Sequence, residues 1–270
     1  AHRGMRLIDS WVAEILILAL SATLVWVGLQ VAVAEPAVFW FEHVTPQGTA
    51  LSHAGWWNFG VATPIFVFLL LRWLWRYLVW WWFLGRTARL ELRLTGTHPD
   101  RMGGLGFVAF HQSMFCMITT AFACSLSAMA ADRILHKLAV LKDYQNVIIA
   151  ITVFSIALGI APLLVFTPRL LKTKRISWNR YTRLASEYVW RFEQKWMSGP
   201  ASDDLLGTGD IQSLADIGGS FERLVTMRVF AIDRRLIFSF MFAAVTPMLP
   251  LLLTMMPLRE IVKILFNALM

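Results

Sequence analysis

Charged side chains are scarce in this chain of 270 residues. They make up 16% of the residues, whereas roughly 25% is usual in a soluble domain. Hydrophobic residues make up 57%, and a soluble protein of this composition would lack the polar surface that keeps it in solution. Thirteen Trp and nineteen Phe agree with this, because large aromatic side chains collect at membrane interfaces. The composition therefore predicts an integral membrane protein.

Cysteines and catalytic motifs are scarce as well. The two cysteines, Cys116 and Cys124, lie eight positions apart, which on a helix is about 12 Å and too far for a disulfide. The sequence contains no metalloprotease, hydrolase or phosphate-loop motif. The net charge of +8 comes from basic residues in particular loops and accompanies no nucleic-acid signature. We therefore expect no metal, no cofactor and no nucleic-acid partner, and the sequence leans against an enzyme.

Five apolar runs have the length of about 20 residues that a spanning helix needs. They are too long for barrel strands and do not alternate apolar and polar residues. The predicted spans are about Trp11–Ala34, Trp56–Leu84, Gly103–Ala131, Tyr144–Thr167 and Leu236–Met256. Pro247, Pro250 and Pro257 interrupt the fifth run, so a broken or re-entrant helix is an alternative there.

The distribution of Lys and Arg predicts the direction of these spans. Eighteen of the 25 Lys and Arg flank the spans on one side, including four directly after span four, whereas the loop 35–55 has none. The positive-inside rule places the richer side in the cytoplasm. The N-terminus is then cytoplasmic and the C-terminus outside, where the tail 258–270 reads as an amphipathic helix on the outer surface.

The segment between spans four and five predicts a cytoplasmic helical hairpin. Aromatic and small residues recur at steps of three and four between Trp178 and Trp196, and a charged stripe opposes them. A second helix is predicted from Asp210 to about Arg228. The expected fold is therefore all-α and polytopic, with about five spans. Its regions are a four-span part (1–167), a cytoplasmic helical part (168–235), and a fifth span with the tail (236–270).

Two arginines within the second span form the first candidate site. Arg72 and Arg76 lie four residues apart and so share one helix face, where they could bind an anion. Charge inside a span is costly and by default suggests function. The alternative is that both side chains extend to the lipid headgroups. Glu14, at a similar depth in span one, is expected to pair with Arg76, or with Arg72 one turn deeper.

A polar, glycine-rich segment from Thr97 to Phe107 forms the second candidate site, at the cytoplasmic mouth of span three. His98, Asp100 and Arg101 combine a titratable base, an acid and an anion-binding group. Such a mixture suits a ligand gate or proton handling. The alternative is a tight turn whose polar side chains cap the following helix. His111, about two turns into span three, is a further candidate for proton relay or for an interhelical hydrogen bond.

The same segment carries a resemblance to a group of bacterial proteins. Its His-Pro-Asp and Gly-Gly-Leu-Gly-Phe elements resemble those of uncharacterised bacterial polytopic membrane proteins. The resemblance is strongest over Leu90–Phe107 and weaker over Asp210–Ser220 and the proline-rich last span. It implies a location in the bacterial inner membrane.

Three functions follow from these patterns. The leading hypothesis is a channel or transporter-like protein for a small solute, an anion, that acts as a homo-oligomer in contact with membrane lipid. The second is an accessory or assembly subunit of a larger membrane complex. The third is a membrane enzyme that acts on a lipid-like phosphate, with His98, Asp100 and His111 supplying the chemistry.

Overall fold

The chain is helical almost throughout the part that the structure describes. The structure is a computed structural model and describes residues 10–34, 42–45, 48–136, 139–198 and 209–254. The α-helices are α1 (Trp11–Ala34), α2 (His53–Trp57), α3 (Thr63–Ala88), α4 (Gly106–Ser113), α5 (Cys116–Leu135), α6 (Gln145–Ile160), α7 (Thr167–Trp196), α8 (Gly209–Val225) and α9 (Arg234–Val245). A π-helical turn (Asn58–Ala62) joins α2 to α3, and 3-10 turns occupy Leu141–Tyr144, Ala161–Phe166 and Thr246–Thr254.

A short antiparallel hairpin, which the sequence did not predict, lies between α1 and α2. Strand β1 (Glu42–Thr45) pairs with β2 (Gly48–Leu51), with Glu42 opposite Leu51 and Thr45 opposite Gly48.

The predicted all-α polytopic fold is confirmed. Five helical segments are long and apolar enough to cross a membrane, and each contains the greater part of one predicted span. These segments are Trp11–Val31, His53–Ala88, Gly106–Leu135, Leu141–Trp196 and Arg234–Leu252. Large apolar side chains on them are exposed, such as Trp26 at 62% and Phe107 at 61%. Lipid tails accept such side chains, so this is a membrane protein.

The fourth and fifth spans differ in how their proline residues are accommodated. The fourth was expected to end at Thr167, but the chain stays helical through Ala161–Phe166 and along α7 to Trp196. Pro162 and Pro168 each occupy a first-turn position, where a missing N–H is tolerated. The fifth changes from α-helix to 3-10 helix at Thr246, with Pro250 inside the 3-10 part. The tail 258–270 lies outside the described residues.

The chain forms two compact units, residues 1–83 and 84–270. In the first, the buried side chains include Ile17, Ser21, Tyr77 and Val79.

In the second unit, α9 packs between α5 and α6, and α7 packs against α8. The ring of Phe240 on α9 is fully buried against Gly159 on α6. A Cβ at Gly159 would come within 2.6 Å of that ring, so only glycine permits the approach. On the hairpin, the rings of Trp178 and Phe221 lie 5.2 Å apart. The packing of α9 and α7 positions the polar loop described next.

Candidate functional site

The polar segment predicted before span three is an irregular loop between α3 and α4. Its entry is fixed by Arg169 on α7, which donates from Nε to the carbonyl oxygen of Ala88 (3.0 Å) and from its terminal nitrogen to that of Arg89 (2.9 Å). These carbonyl groups end α3, where the helix leaves its last acceptors unpaired. A guanidinium there satisfies them and complements the helix dipole.

Asp100 organises the centre of the loop. Its Oδ1 accepts hydrogen bonds from the backbone N–H of Met102 (2.8 Å) and Gly104 (3.1 Å), and its Oδ2 accepts one from Gly106 (2.8 Å). Gly106 begins α4, so the carboxylate also faces the positive end of that helix. One side chain thus closes the loop onto the start of span three.

The pKa of Asp100 reflects this arrangement. Burial raises the pKa, but the N–H groups of Met102, Gly106 and Gly104 and the ring of His98 lower it more. The pKa therefore lies below its ordinary value, and the group is a carboxylate at neutral pH. His98 Nδ1 lies 2.8 Å from Asp100 Oδ1 and 3.3 Å from the Asp100 backbone nitrogen. The predicted pair of base and acid is thus in direct contact.

Three residues of the loop have positive φ, namely 56° at Arg101, 67° at Gly103 and 98° at Gly104. Glycine accepts such angles without penalty, but an arginine there costs about 1 kcal/mol. The strained residue is held from outside the loop, because its carbonyl oxygen accepts a 2.7 Å hydrogen bond from the backbone N–H of Arg228. The N–H of Arg101 also donates to the carbonyl oxygen of His98 (3.0 Å), so the backbone is held on both sides of this residue.

Arg228 links the loop to the start of α9. Its guanidinium donates to the carbonyl of Ile232 (3.1 Å) and to Oδ1 of Asp233 (3.0 Å). Asp233 is the N-cap of α9 and accepts from the backbone N–H of Arg234 (2.8 Å). The hydrogen bond from Arg228 is the main reason that the pKa of Asp233 is lowered, against a smaller opposing effect of burial.

A cleft of about 700 Å³ opens between the Asp100 loop, α4 and the start of α9. Its charged lining comprises Asp100, Arg101, Arg228, Asp233 and Arg235, and the remaining lining is Pro99, Met102, Gly106, Ala109, Phe110, Ser113, Leu236 and Ser239. Both carboxylates accept hydrogen bonds from donors of the protein itself, and the Arg228 guanidinium donates to Ile232 and Asp233. Within the described ranges, the guanidinium groups of Arg101 and Arg235 form no ion pair with a carboxylate. The lining carries one net positive charge.

The arginines of the second span lie elsewhere, in the first unit. Nε of Arg72 lies 2.8 Å from Oε1 of Glu14, with the two side chains 40% and 32% exposed. The N–H bond does not point at that oxygen, so the contact is an ion pair without an aligned hydrogen bond. Of the two expected partners, Arg72 rather than Arg76 pairs with Glu14, because the residue one turn deeper faces α1. The guanidinium of Arg76 instead lies 5.5 Å from the centre of the Trp73 ring.

The structure brings together some of the predicted residues and separates others. His98, Asp100 and Arg101 share one loop, as their adjacency in sequence requires. His111 does not line the cleft; its Nδ1 lies 2.8 Å from the Phe107 carbonyl oxygen on its own helix, and its ring meets the edge of Phe110.

Sequence reasoning missed the contribution of α9 to this cleft. An aspartate before an apolar run is a signature of a helix N-cap, so Asp233 could have been found. No local signal places Arg228 or Arg235 beside Arg101.

Reasoning from sequence also missed a buried polar contact between spans. The hydroxyl oxygens of Ser155 and Thr119 lie 3.0 Å apart, and Ser155 donates to the Phe240 carbonyl at 2.9 Å. The fully buried Gln112 donates to the Leu158 carbonyl at 3.3 Å. These bonds join α4, α5, α6 and α9.

In the part of the chain that the structure covers, no three His, Cys, Asp or Glu side chains are grouped as a metal site. The chain matches no known family model, and no curated protein or solved structure is significantly similar to it.

Proposed function

We propose that this protein binds a small anion in the cleft between the Asp100 loop and α9, and takes part in moving that anion across the membrane. One observation carries the proposal: Arg101 and Arg235 line a cleft whose two carboxylates already accept hydrogen bonds from other groups, so that three arginines line it beside two engaged carboxylates. A guanidinium group that forms no close ion pair with a carboxylate is a strong partner for phosphate, sulfate or carboxylate.

The arginine within the second span is a weaker candidate for the same role. Arg72 is paired with Glu14, so an anion there would compete with a carboxylate at 2.8 Å. The ion pair of Arg72 and Glu14 therefore stabilises the first unit. We assign the anion site to the cleft.

The proposed topology follows from the charges. The positive-inside rule places the Asp100 loop and the hairpin of α7 and α8 in the cytoplasm of a bacterial cell, so the cleft faces the cytoplasm. Five spans are few to enclose a complete transport pathway within one subunit. A homo-oligomer would supply a pathway shared between subunits.

Binding of inorganic phosphate to the protein in lipid nanodiscs tests the site. We expect Arg101→Gln and Arg235→Gln each to weaken binding by about tenfold or more, because each removes a charge-assisted contact. Arg93→Gln is the matched control, since Arg93 lies in the same loop, is exposed and does not line the cleft. Equal binding by all the variants would contradict the proposal.

Flux of phosphate, sulfate and chloride into proteoliposomes then tests transport. Loss of flux with Arg101→Gln but not with Arg93→Gln supports the proposal. Binding without flux would leave a binding protein, and purification with foreign subunits in fixed proportion would favour an accessory subunit of a larger complex.

A lipid-like phosphate is the second candidate ligand. The side chain of Phe110 lines the cleft and is 64% exposed, so the arginines adjoin an apolar surface. An alkyl phosphate that binds more tightly than inorganic phosphate, and loses this advantage in Phe110→Ala, would favour a protein that acts on an amphiphile. The base needed for an enzyme is less well placed, because His98 contacts Asp100 and does not line the cleft.

A further inference from the structure

The first five turns of α7 carry basic residues and no acidic residue that would balance their charge. Six Lys and Arg, and no Asp or Glu, occur between Thr167 and Ser186. Clusters of basic residues directly after a span attract anionic lipid. The structure divides this cluster into residues that hold the fold and residues that are free to bind.

Two of the six basic residues are used within the protein. Arg169 donates to the carbonyl groups that end α3. Nζ of Lys174 donates to the carbonyl oxygens of Val225 (3.1 Å) and Met227 (2.6 Å), at the end of α8. Their charges therefore serve backbone groups at the ends of two helices.

Lys172 and Arg175 are exposed. They line an open groove of about 690 Å³, whose lining also includes Pro168, Lys174 and three apolar side chains. The apolar side chains are Leu171, Ile176 and Trp178. These apolar side chains are 50%, 40% and 41% exposed. The Trp178 ring is held in place by Phe221. The groove thus presents three cations beside apolar side chains that include the indole of Trp178. Of these cations, Lys174 is already bonded to backbone carbonyl oxygens, which leaves Lys172 and Arg175 as the candidates for a ligand.

The position of this groove along the helix matches the headgroup layer. The segment from Gln145 to Phe166 is apolar and contains no charged residue, and its length suffices to cross about 30 Å of hydrocarbon. Lys172 and Arg175 follow six and nine residues later, which is about 9 and 13 Å further along a helix. Headgroup phosphates lie in that layer, and tryptophan prefers it.

We propose that Lys172 and Arg175, flanked by Leu171 and Trp178, form a binding site for the phosphate of an anionic phospholipid. The lysine and the guanidinium bind the phosphate, and the apolar side chains contact the upper part of the acyl chains. The site is separate from the anion cleft and does not depend on the function proposed for it. Charge complementarity and the direct continuation from a span identify lipid as the occupant.

Thermal unfolding in nanodiscs of phosphatidylcholine, with and without phosphatidylglycerol, tests this site. The wild type is expected to unfold at a higher temperature when phosphatidylglycerol is present. The double variant Lys172→Gln, Arg175→Gln is expected to lose more than half of that increase. Arg180→Gln, Arg183→Gln is the matched control, because it removes the same charge further along α7 and outside the groove. The control is expected to keep the increase.

Two results would overturn the proposal. One is an equal loss in both double variants, which would mean that net charge alone attracts the lipid. The other is a change of oligomer with unchanged lipid retention in native mass spectrometry of Lys172→Gln, Arg175→Gln, which would make the groove a contact between copies. The charge-preserving variant Lys172→Arg, Arg175→Lys is expected to fold and retain bound lipid, and so separates loss of binding from loss of folding.

Discussion

Two aspartates of the second unit have a lowered pKa for different reasons. Asp100 is held mainly by backbone N–H groups of its own loop, within six residues. Asp210, at the far end of the hairpin, is held by the side chains of Lys195 (2.6 Å) and Trp196 (3.1 Å). A backbone donor cannot turn away to water without moving the chain, whereas an exposed side chain can. The pKa is lowered at both residues, but the Asp100 carboxylate is important for the stability of its loop and the Asp210 carboxylate contributes little to stability.

Removal of the Asp100 carboxylate is expected to have the largest effect. Asp100→Ala leaves three backbone donors of the loop without their acceptor and should lower the free energy of unfolding by about 3 kcal/mol. It should also abolish phosphate binding, because Arg101 loses its support. Asp100→Asn keeps one acceptor oxygen, so its free energy of unfolding should lie between those of the wild type and Asp100→Ala. Chemical unfolding in mixed micelles measures the series, and an Asp100→Ala protein as stable as the wild type would remove the contrast with Asp210.

A methyl group at Gly103 should have the next largest effect. With φ at 67°, Gly103→Ala costs about 1 kcal/mol in backbone energy alone, and the new Cβ would lie 3.3 Å from Leu170. Gly218→Ala is the control in the hairpin, since nothing lies within 4 Å of a Cβ there. That change should stabilise α8 by about 0.5–1 kcal/mol. Opposite signs in the same unfolding measurement would sharpen the contrast between loop and hairpin.

The pH dependence of stability should distinguish Asp100 more finely. Because its pKa in the folded protein lies below the ordinary value of 3.8, the unfolded chain takes up the proton first as the pH falls. The stabilisation is complete above the ordinary pKa and is lost as the pH falls through the folded-state pKa. Unfolding of wild type and Asp100→Asn between pH 6 and pH 3 measures it, and parallel curves would show that Asp100 contributes nothing.

The smallest effect is expected at Asp210. Asp210→Asn keeps one acceptor for Lys195 or Trp196, and water replaces the other contact at this exposed position. The unfolding temperature should stay within the error of the measurement at low and at high salt. A loss comparable to that of Asp100→Ala would show that side-chain donors can hold a helix end as firmly as backbone donors hold a loop.

The sequence was sufficient for the helices because the apolar runs are long and sharply bounded. Helix α1 has the predicted bounds, Trp11–Ala34, since Ser10 precedes the run and Glu35 and Pro36 follow it. The continuation past Thr167 was missed because proline usually ends a helix, whereas Pro162 and Pro168 occupy first turns.

The site could be predicted only as far as its residues are neighbours in the chain. His98, Asp100 and Arg101 were candidates because they are close in sequence, but Arg228 and Arg235 join them through tertiary packing. The partner of Glu14 was a choice between two arginines one turn apart. That choice depends on how far two helices are shifted along each other, which composition does not encode.

The chain is helical without a break from Gln145 to Trp196, so the fourth span and α7, which extends it, form one rigid element. At about 1.5 Å per residue its contour is close to 80 Å, more than twice the thickness of the hydrocarbon layer. The 3-10 segment Ala161–Phe166 does not act as a hinge, because Leu163 and Phe166 are fully buried within it. A displacement or rotation of the helix at its Trp196 end is therefore transmitted to Gly159 and to the Phe240 ring that packs on it.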